Sequence, residues 1–131
     1  MKVVPTERQT QRAILQMMGR AFPSCLVWHV PNGAFLGDDE RARKRTMGGL
    51  LGDGLKPGAP DLAVYWNHGH ALLEVKRPGC ANNLSPAQVQ IHAELREMGF
   101  EPAVVTSTEE AFNFLRDRGA PASVKAWREA A

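Results

Sequence analysis

Two acidic residues and a lysine within one short stretch form the most informative pattern in the sequence. Asp61 follows Pro60, and Glu74 and Lys76 stand two positions apart further along the chain. Side chains alternate between the faces of a strand, so Glu74 and Lys76 project from one face, roughly 6 to 7 Å apart. Carboxylate oxygens are ligands that Mg²⁺ prefers, and a lysine beside such a metal can orient an attacking water. This spacing favours metal-assisted hydrolysis of a phosphodiester.

The chain between the two acids predicts a β-hairpin. Residues 61–65 and 70–75 flank a four-residue segment, 66–69, that is typical of a hairpin turn. A pairing of Tyr65 with His70 would fix the register of the two strands. The acids at the outer ends of the hairpin would then face each other.

That register places Asp61 directly opposite Glu74. Like charges in this position destabilise a sheet, so the arrangement favours a cation between the carboxylates. Two carboxylates and a carbonyl, here that of Val75, are the oxygen set that Mg²⁺ takes together with water. Each acid also has a simpler interpretation, because Asp61 could cap a turn and Glu74 with Lys76 could lie on a solvated edge strand. The apolar neighbours and the predicted central position of the second strand favour the metal site.

These residues and others around them resemble the PD-(D/E)xK nuclease superfamily, and its VRR-NUC family in particular. The similarity extends over about residues 6 to 115 in five ordered elements. They are Glu7 and Gln11 on a first helix, His29 and Pro31-Asn32-Gly33 after a strand, Gly58-Ala59-Pro60-Asp61-Leu62, Glu74-Val75-Lys76, and Ser85-Pro86 with Gln88 opening a later helix. A bare PD…ExK string arises by chance, whereas the ordered set is specific. The resemblance implies a DNA nuclease that depends on Mg²⁺ or Mn²⁺.

The resemblance also assigns roles outside the hairpin. It implies that Glu7 joins the metal ligands, directly or through water, and that Gln88 orients Lys76 or the attacking water. Glu7 could instead favour only the positive N-terminus of its helix, and Gln88 could only complete a capping box with Ser85. Gln11 stays open between a site residue and a helix-surface residue.

Several further residues are candidates for the border of the site and for DNA contacts. The resemblance suggests that His29 and Asn32 border the site, although a structural histidine and an ordinary Asn-Gly turn explain them equally well. Arg41 and Arg45 would share one helix face, which suits DNA phosphates. A solvated helix balanced by neighbouring acids is an equal alternative. Lys56, close to the Asp61 loop, is another candidate phosphate contact.

Composition sets the outer limits. The 131 residues predict a single domain, 1–131, and the 44% hydrophobic and 23% charged content is typical of a soluble globular protein. The sequence contains no apolar run of the roughly 18 residues that span a membrane, and no signal-peptide core. The two cysteines, Cys25 and Cys80, give neither a disulfide framework nor a zinc pattern, which fits a reducing cytoplasm. The net charge of +2 is too small to indicate nucleic acid by itself.

Caps, periodicity and glycines predict the element order α-β-α-β-β-α-β-α. The expected elements are a helix over 6–21, a buried-type strand over 25–30, a helix over 38–51, the hairpin, a helix over 85–99, a strand over 102–106 and a helix over 107–119. Residues 122–131 would form a last short helix or fray. The helix between the strands at 70–77 and 102–106 predicts a parallel, right-handed crossover. The fold class is therefore α/β with a mixed sheet flanked by helices, which agrees with the restriction-endonuclease-like core that the resemblance implies.

Three functions are compatible with these observations. The leading expectation is a structure-selective DNA endonuclease that acts as a homodimer on branched DNA such as Holliday junctions, because small stand-alone relatives of the family resemble junction resolvases. The segment Met47-Gly48-Gly49-Leu50-Leu51 could supply the dimer contact. The alternatives are a repair or restriction-type nuclease with another DNA preference, and a nucleic-acid-binding module without catalysis.

Overall fold

The computed structural model describes residues 3–31, 38–123, 125 and 127–128. Its elements are α1 (Glu7–Ala21), β1 (Leu26–His29), α2 (Glu40–Gly52), β2 (Leu62–Trp66), β3 (Gly69–Val75), α3 (Pro86–Glu97), β4 (Ala103–Val105) and α4 (Thr108–Asp117). This is the predicted order, and the predicted mixed α/β class is confirmed. In the last segment, residues 125, 127 and 128 have helical backbone.

The four strands form one sheet in the order β1-β2-β3-β4. The β1–β2 and β2–β3 pairs are antiparallel, and the β3–β4 pair is parallel. The helix α3 connects β3 to β4, so the predicted parallel crossover is confirmed. The strand that carries Glu74 lies between two neighbours, as expected for a central strand.

The hairpin has the predicted register, with Tyr65 paired to His70. The strands continue one pair further than expected, to Trp66 and Gly69, so the turn is shorter than the predicted four residues. His68 lies in this turn with a positive φ of 64°, a conformation that a non-glycine residue adopts only at some cost.

One face of the sheet carries the hydrophobic core. Ala71, Leu73 and Val75 alternate along β3 and are buried together with residues of α1 and α4. The rings of Phe22 and Phe112 lie 5.3 Å apart in the same core. By strand alternation, Leu72 and Glu74 face the opposite side of the sheet, the side on which α3 lies.

The helix α1 begins at the predicted capping box. The Thr6 side chain accepts from the backbone of Gln9, and the Gln9 side chain accepts from the backbone of Thr6. Its buried residues are Thr10, Ile14, Met17, Met18 and Ala21. Extending the apolar stripe of Ile14 and Met18 backwards by helical steps predicts that Gln11 and Glu7 also face inward. That prediction is wrong, since Glu7 is exposed and Gln11 is only half-buried. The stripe ends instead on Thr10, whose hydroxyl donates to the carbonyl of Thr6.

The prediction of a buried strand over 25–30 is also wrong. The strand β1 is an edge strand on which Leu26 is 63% and Trp28 is 47% exposed. An apolar strand is buried on both faces only where a layer covers each face, and the neighbouring helix α2 buries none of its own residues. Trp28 stacks instead on Tyr65 of β2, with ring centroids 4.9 Å apart.

None of the helices in the described part of the chain is long and apolar enough to cross a membrane.

Candidate metal centre

The outer end of the hairpin brings the two predicted acids together in a buried position. Asp61 directly precedes β2, and the register of Leu62 with Leu73 continues to set it opposite Glu74. Asp61 is 8% exposed and Glu74 is fully buried. The backbone N–H of Val75 donates to Oδ2 of Asp61 at 2.7 Å, which fixes the Asp61 carboxylate beside the strand that carries Glu74.

The environment of Glu74 disfavours its ionised form. Burial is the largest cause, and the neighbouring Asp61 carboxyl adds to it, so the pKa of Glu74 rises to about 9. The positive charge of Lys76 opposes this rise only in part, and the charge of Glu7 adds to it least. Without a cation, Glu74 therefore carries a proton at neutral pH.

One oxygen of Glu74 meets no hydrogen-bond donor. Oε2 is buried, and no N–H or O–H group in the described part of the chain donates to it, so protonated Glu74 can bond only to the Asp61 carboxyl beside it. A buried acid whose only neighbour on this side is a second acid calls for an explanation. A divalent cation between Glu74 and Asp61 would satisfy this oxygen and offset the repulsion between the carboxylates, so the donor set fits a hard metal ion.

The other oxygen of Glu74 meets a histidine that the sequence reasoning missed. Nε2 of His92 lies 3.1 Å from Oε1 of Glu74, and both side chains are buried. Burial, together with the charges of Arg96 and Lys76, lowers the pKa of His92 and so favours its neutral form. The signal in the sequence is that His92 follows Gln88 by four positions, which places both on one face of α3.

Lys76 and Gln88 are in direct contact. Lys76 is 9% exposed as a residue, and its Nζ donates to Oε1 of Gln88 at 3.0 Å. The same Gln88 oxygen accepts from the backbone N–H of Ser85 at 2.9 Å, and Ser85 Oγ accepts from the backbone of Gln88. Gln88 therefore completes the capping box of α3 and also holds the lysine, so the two interpretations of this residue are compatible.

A glycine sets the position of the loop that leads to Asp61. Gly58 has a φ of +87°, and a Cβ at this position would collide with the backbone carbonyl of Ala87. The loop therefore lies directly against the first turn of α3. Pro60, two residues later, is buried. This close approach fixes Asp61 relative to the helix that carries Gln88 and His92.

Gln11 and His29 reach the backbone of Asp61. Nε2 of Gln11 lies 3.2 Å from Nδ1 of His29, and the same ring nitrogen lies 3.2 Å from the carbonyl oxygen of Asp61. The backbone N–H of Val30 donates to that carbonyl as well, at 2.8 Å. Both residues border the site, and they support its backbone.

Glu7 is not assembled with the two buried acids. It is exposed in the first turn of α1, and its charge contributes only the smallest of the influences on Glu74. Within the described ranges, no three histidine, cysteine or acidic side chains form a ready-made metal cluster. A role for Glu7 in metal binding, directly or through water, stays a prediction.

Among the predicted DNA-contacting residues that the structure describes, Arg41, Arg45 and Lys56, no hydrogen bond or ion pair joins any of them to Asp61 or Glu74. Asn32 lies outside the described residues. Arg41 and Arg45 are exposed on α2, and Lys56 is exposed beside an apolar hollow formed with Leu95 of α3. Their contacts with DNA stay predictions.

No family model matches the sequence, and no curated protein matches it either.

Proposed function

We propose that this protein is a DNA endonuclease of the VRR-NUC type, within the PD-(D/E)xK superfamily, that hydrolyses phosphodiester bonds with Mg²⁺ or Mn²⁺. The observation that carries the proposal is the buried Oε2 of Glu74, which meets no hydrogen-bond donor in the described part of the chain. Glu74 lies opposite Asp61 near the end of β3, and Lys76 directly follows that strand. A protein that used these residues only for folding would gain little from burying two acids side by side.

The residues that would hold the metal are Asp61, Glu74 and the carbonyl of Val75, with Glu7 directly or through water. A bound divalent cation polarises a phosphate and lowers the pKa of a coordinated water. The fold keeps the two candidate metal ligands Asp61 and Glu74 close together and shielded from water. The Val75 N–H fixes the orientation of Asp61.

Lys76 supplies the positive charge beside the two acids. The residue is nearly buried, and the hydrogen bond to Gln88 limits the orientations of its side chain. A preorganised cation at this place can orient the attacking water and offset negative charge that develops on the phosphate. Gln88 contributes by holding Lys76 in place. The same amide oxygen remains anchored by the helix N-terminus.

Metal-dependent nicking of supercoiled plasmid DNA tests the proposal. Asp61→Asn and Glu74→Gln should each lower nicking by more than about 100-fold, since losses in the supporting shell alone cost about 10 to 100-fold. Asparagine keeps an oxygen that can accept from Val75, so the Asp61→Asn variant should remain folded by circular dichroism.

The matched controls are Asp53→Asn and Glu97→Gln, which make the same chemical changes at exposed positions. Both should nick like the wild type. Wild-type nicking by either site variant would remove the assignment, and absence of metal-dependent nicking in the wild type would remove the nuclease.

A further inference from the structure

The buried side of the candidate metal centre contains a side chain with no role in the mechanism above, His92. It lies on α3 and is 1% exposed. Its Nε2 lies 3.1 Å from Oε1 of Glu74. Its Nδ1 is buried, and no described residue hydrogen-bonds to it. Among the described residues, the only hydrogen-bonding contact of this ring is therefore the one to Glu74.

The two oxygens of Glu74 are distinguished by this contact. Oε1 is held by His92, whereas Oε2 meets no hydrogen-bond donor in the described part of the chain. A carboxylate without such a bond can rotate about its last torsion, which is broad for glutamate. The bond to His92 removes that freedom and leaves Oε2 as the oxygen that is available to a ligand.

We propose that His92 is a positioning residue that holds Oε1 of Glu74 and thereby presents Oε2 to the catalytic metal ion. This inference rests on the proposed function, and it adds a residue to it. Hydrogen bonds from the outer shell to metal-binding carboxylates are a general means of orienting them.

The hydrogen-bonding roles are consistent with this assignment. An ionised Glu74 can only accept hydrogen bonds, so Nε2 of His92 must carry the hydrogen when a metal is bound. A neutral imidazole has a single N–H, so Nδ1 is then a lone pair. Nδ1 therefore lacks only a hydrogen-bond donor, and the ring has no buried N–H without an acceptor.

The helix α3 thus supports two side chains of the site from one face. Gln88 holds Lys76, and His92, one helical turn later, holds Glu74. Residues four apart on a helix are neighbours on its surface. A single rigid element therefore fixes the lysine and one acid relative to each other.

Calorimetric titration with Mn²⁺ in the absence of DNA tests the role of His92. His92→Leu fills a similar volume without a donor, and it should weaken Mn²⁺ binding by about 10 to 100-fold. His92→Gln offers an amide N–H close to the place of Nε2, so it should bind Mn²⁺ nearly as well as the wild type. His70→Leu, at an exposed histidine of β3, is the matched control and should leave the affinity unchanged.

The metal requirement of nicking provides a second readout. In His92→Leu, the Mg²⁺ concentration for half-maximal nicking should rise by a similar factor, and saturating Mg²⁺ should restore most of the rate. A purely structural role would lower the melting temperature without changing the metal requirement. If His92→Leu does not fold, the comparison of His92→Gln with His92→Asn replaces it, because the shorter amide should not reach Glu74 and should lose Mn²⁺ affinity.

The outcomes separate this inference from the proposed function. If the His92 variants lose Mn²⁺ affinity while the wild type shows no nicking, the inference is supported and the nuclease is removed. Wild-type affinity in folded His92→Leu, or equal losses in His92→Gln and His92→Leu, would overturn the inference and leave the nuclease standing. A wild type that binds no Mn²⁺ would overturn both.

Discussion

At the scale of single residues, Glu74 is an acid that the fold removes from water and places beside a second acid. Burial and the Asp61 carboxyl raise its pKa from an ordinary 4.5 to about 9. A metal that binds Glu74 at neutral pH must therefore displace a proton. This couples metal binding to pH and gives the buried site a measurable signature without any substrate.

The metal-free protein should lose stability as the pH rises. The folded state favours the protonated form of Glu74. The stability that this proton contributes is therefore fully present below about pH 4.5 and is lost as the pH rises through about 9. The slope has an upper limit of about 1.4 kcal/mol per pH unit for one proton. Thermal melts with a chelator should show the decline, and Glu74→Gln should flatten it.

Metal binding should have the opposite pH dependence. Because the Glu74 proton has to leave, Mn²⁺ affinity should increase with pH by up to about tenfold per unit below the pKa of Glu74. Glu97→Gln, at an exposed position, should keep both wild-type profiles. A wild-type melting temperature that is independent of pH over this range would show that Glu74 is ionised in the metal-free fold.

The Lys76–Gln88 contact can be separated from helix capping. Gln88→Leu removes the side-chain half of a capping box and also the acceptor of the Lys76 ammonium. Gln9→Leu removes the same half of the capping box of α1, where Gln9 bonds only to Thr6 among the contacts described. Each variant should lose on the order of 1 kcal/mol for the cap. Gln88→Leu should lose more, because the nearly buried Lys76 is left without its acceptor.

Only Gln88→Leu should lose nicking activity, by about 10 to 100-fold, because it alone releases the lysine. Thermal melts and plasmid nicking measure the two effects separately. Equal activities in the two variants would return Gln88 to a capping role alone.

At the scale of elements, the core fixes the register that assembles the site. Leu62 pairs with Leu73 and Val64 with Ala71, and all four are buried. Strand side chains have a period of two, so a slip by one residue would turn this buried set outward. It would also move Glu74 to the other face of the sheet. Burial of the hairpin's apolar residues thus determines where its acid points.

The approach of the Asp61 loop to α3 predicts a specific sensitivity at Gly58. Gly58→Ala adds a Cβ that collides with the backbone of Ala87, at a positive φ. Gly54→Ala is the matched control, because Gly54 also has a positive φ, +102°, and a Cβ there meets no atom within 4 Å. Both changes should cost about 1 to 2 kcal/mol for the left-handed conformation.

Gly58→Ala should cost about 1 to 3 kcal/mol more, which is the usual range for overpacking. It should also weaken Mn²⁺ binding, since relief of the collision moves the loop that carries Asp61. Chemical denaturation and calorimetry measure the two effects. Equal stability of Gly58→Ala and Gly54→Ala would mean that the loop can move away from α3 at no cost in the free energy of unfolding.

At the scale of the whole molecule, the described part of each chain contains one candidate metal centre, whereas resolution of a four-way junction requires two symmetric cuts. We propose a two-fold homodimer that acts on branched DNA, because such a dimer supplies two sites related by the symmetry of the substrate. The predicted contact segment, 47–51, forms part of α2. That helix buries no residue, and Leu51 is 46% exposed, so the segment is accessible for such a contact.

Light scattering and a cruciform plasmid test the dimer. The wild type should be a dimer at micromolar concentration and should cut both strands of the cruciform within one encounter. Leu51→Glu should give a monomer that still nicks single strands, while Met98→Glu, at an exposed apolar residue of another helix end, should stay dimeric. A wild-type monomer that prefers linear duplex would leave a general nuclease in place of a junction resolvase.

The sequence by itself determined the order of the elements and the pairing of the hairpin. Both depend on signals between near neighbours. Thr6 and Ser85 each mark the start of a helix, because each forms a capping box with a glutamine three residues later. The hairpin register follows from a short turn and alternating side chains, and it was sufficient to place Asp61 opposite Glu74.

The tertiary structure alone decided how these residues are surrounded. The high pKa of Glu74 and its contact with His92 depend on how closely α3 covers the sheet. The exposure of Trp28 on an edge strand, and of Glu7 outside the buried stripe, likewise depends on which faces another element covers. Coverage is set by packing between segments that are distant in the chain, and local patterns of polarity do not specify it.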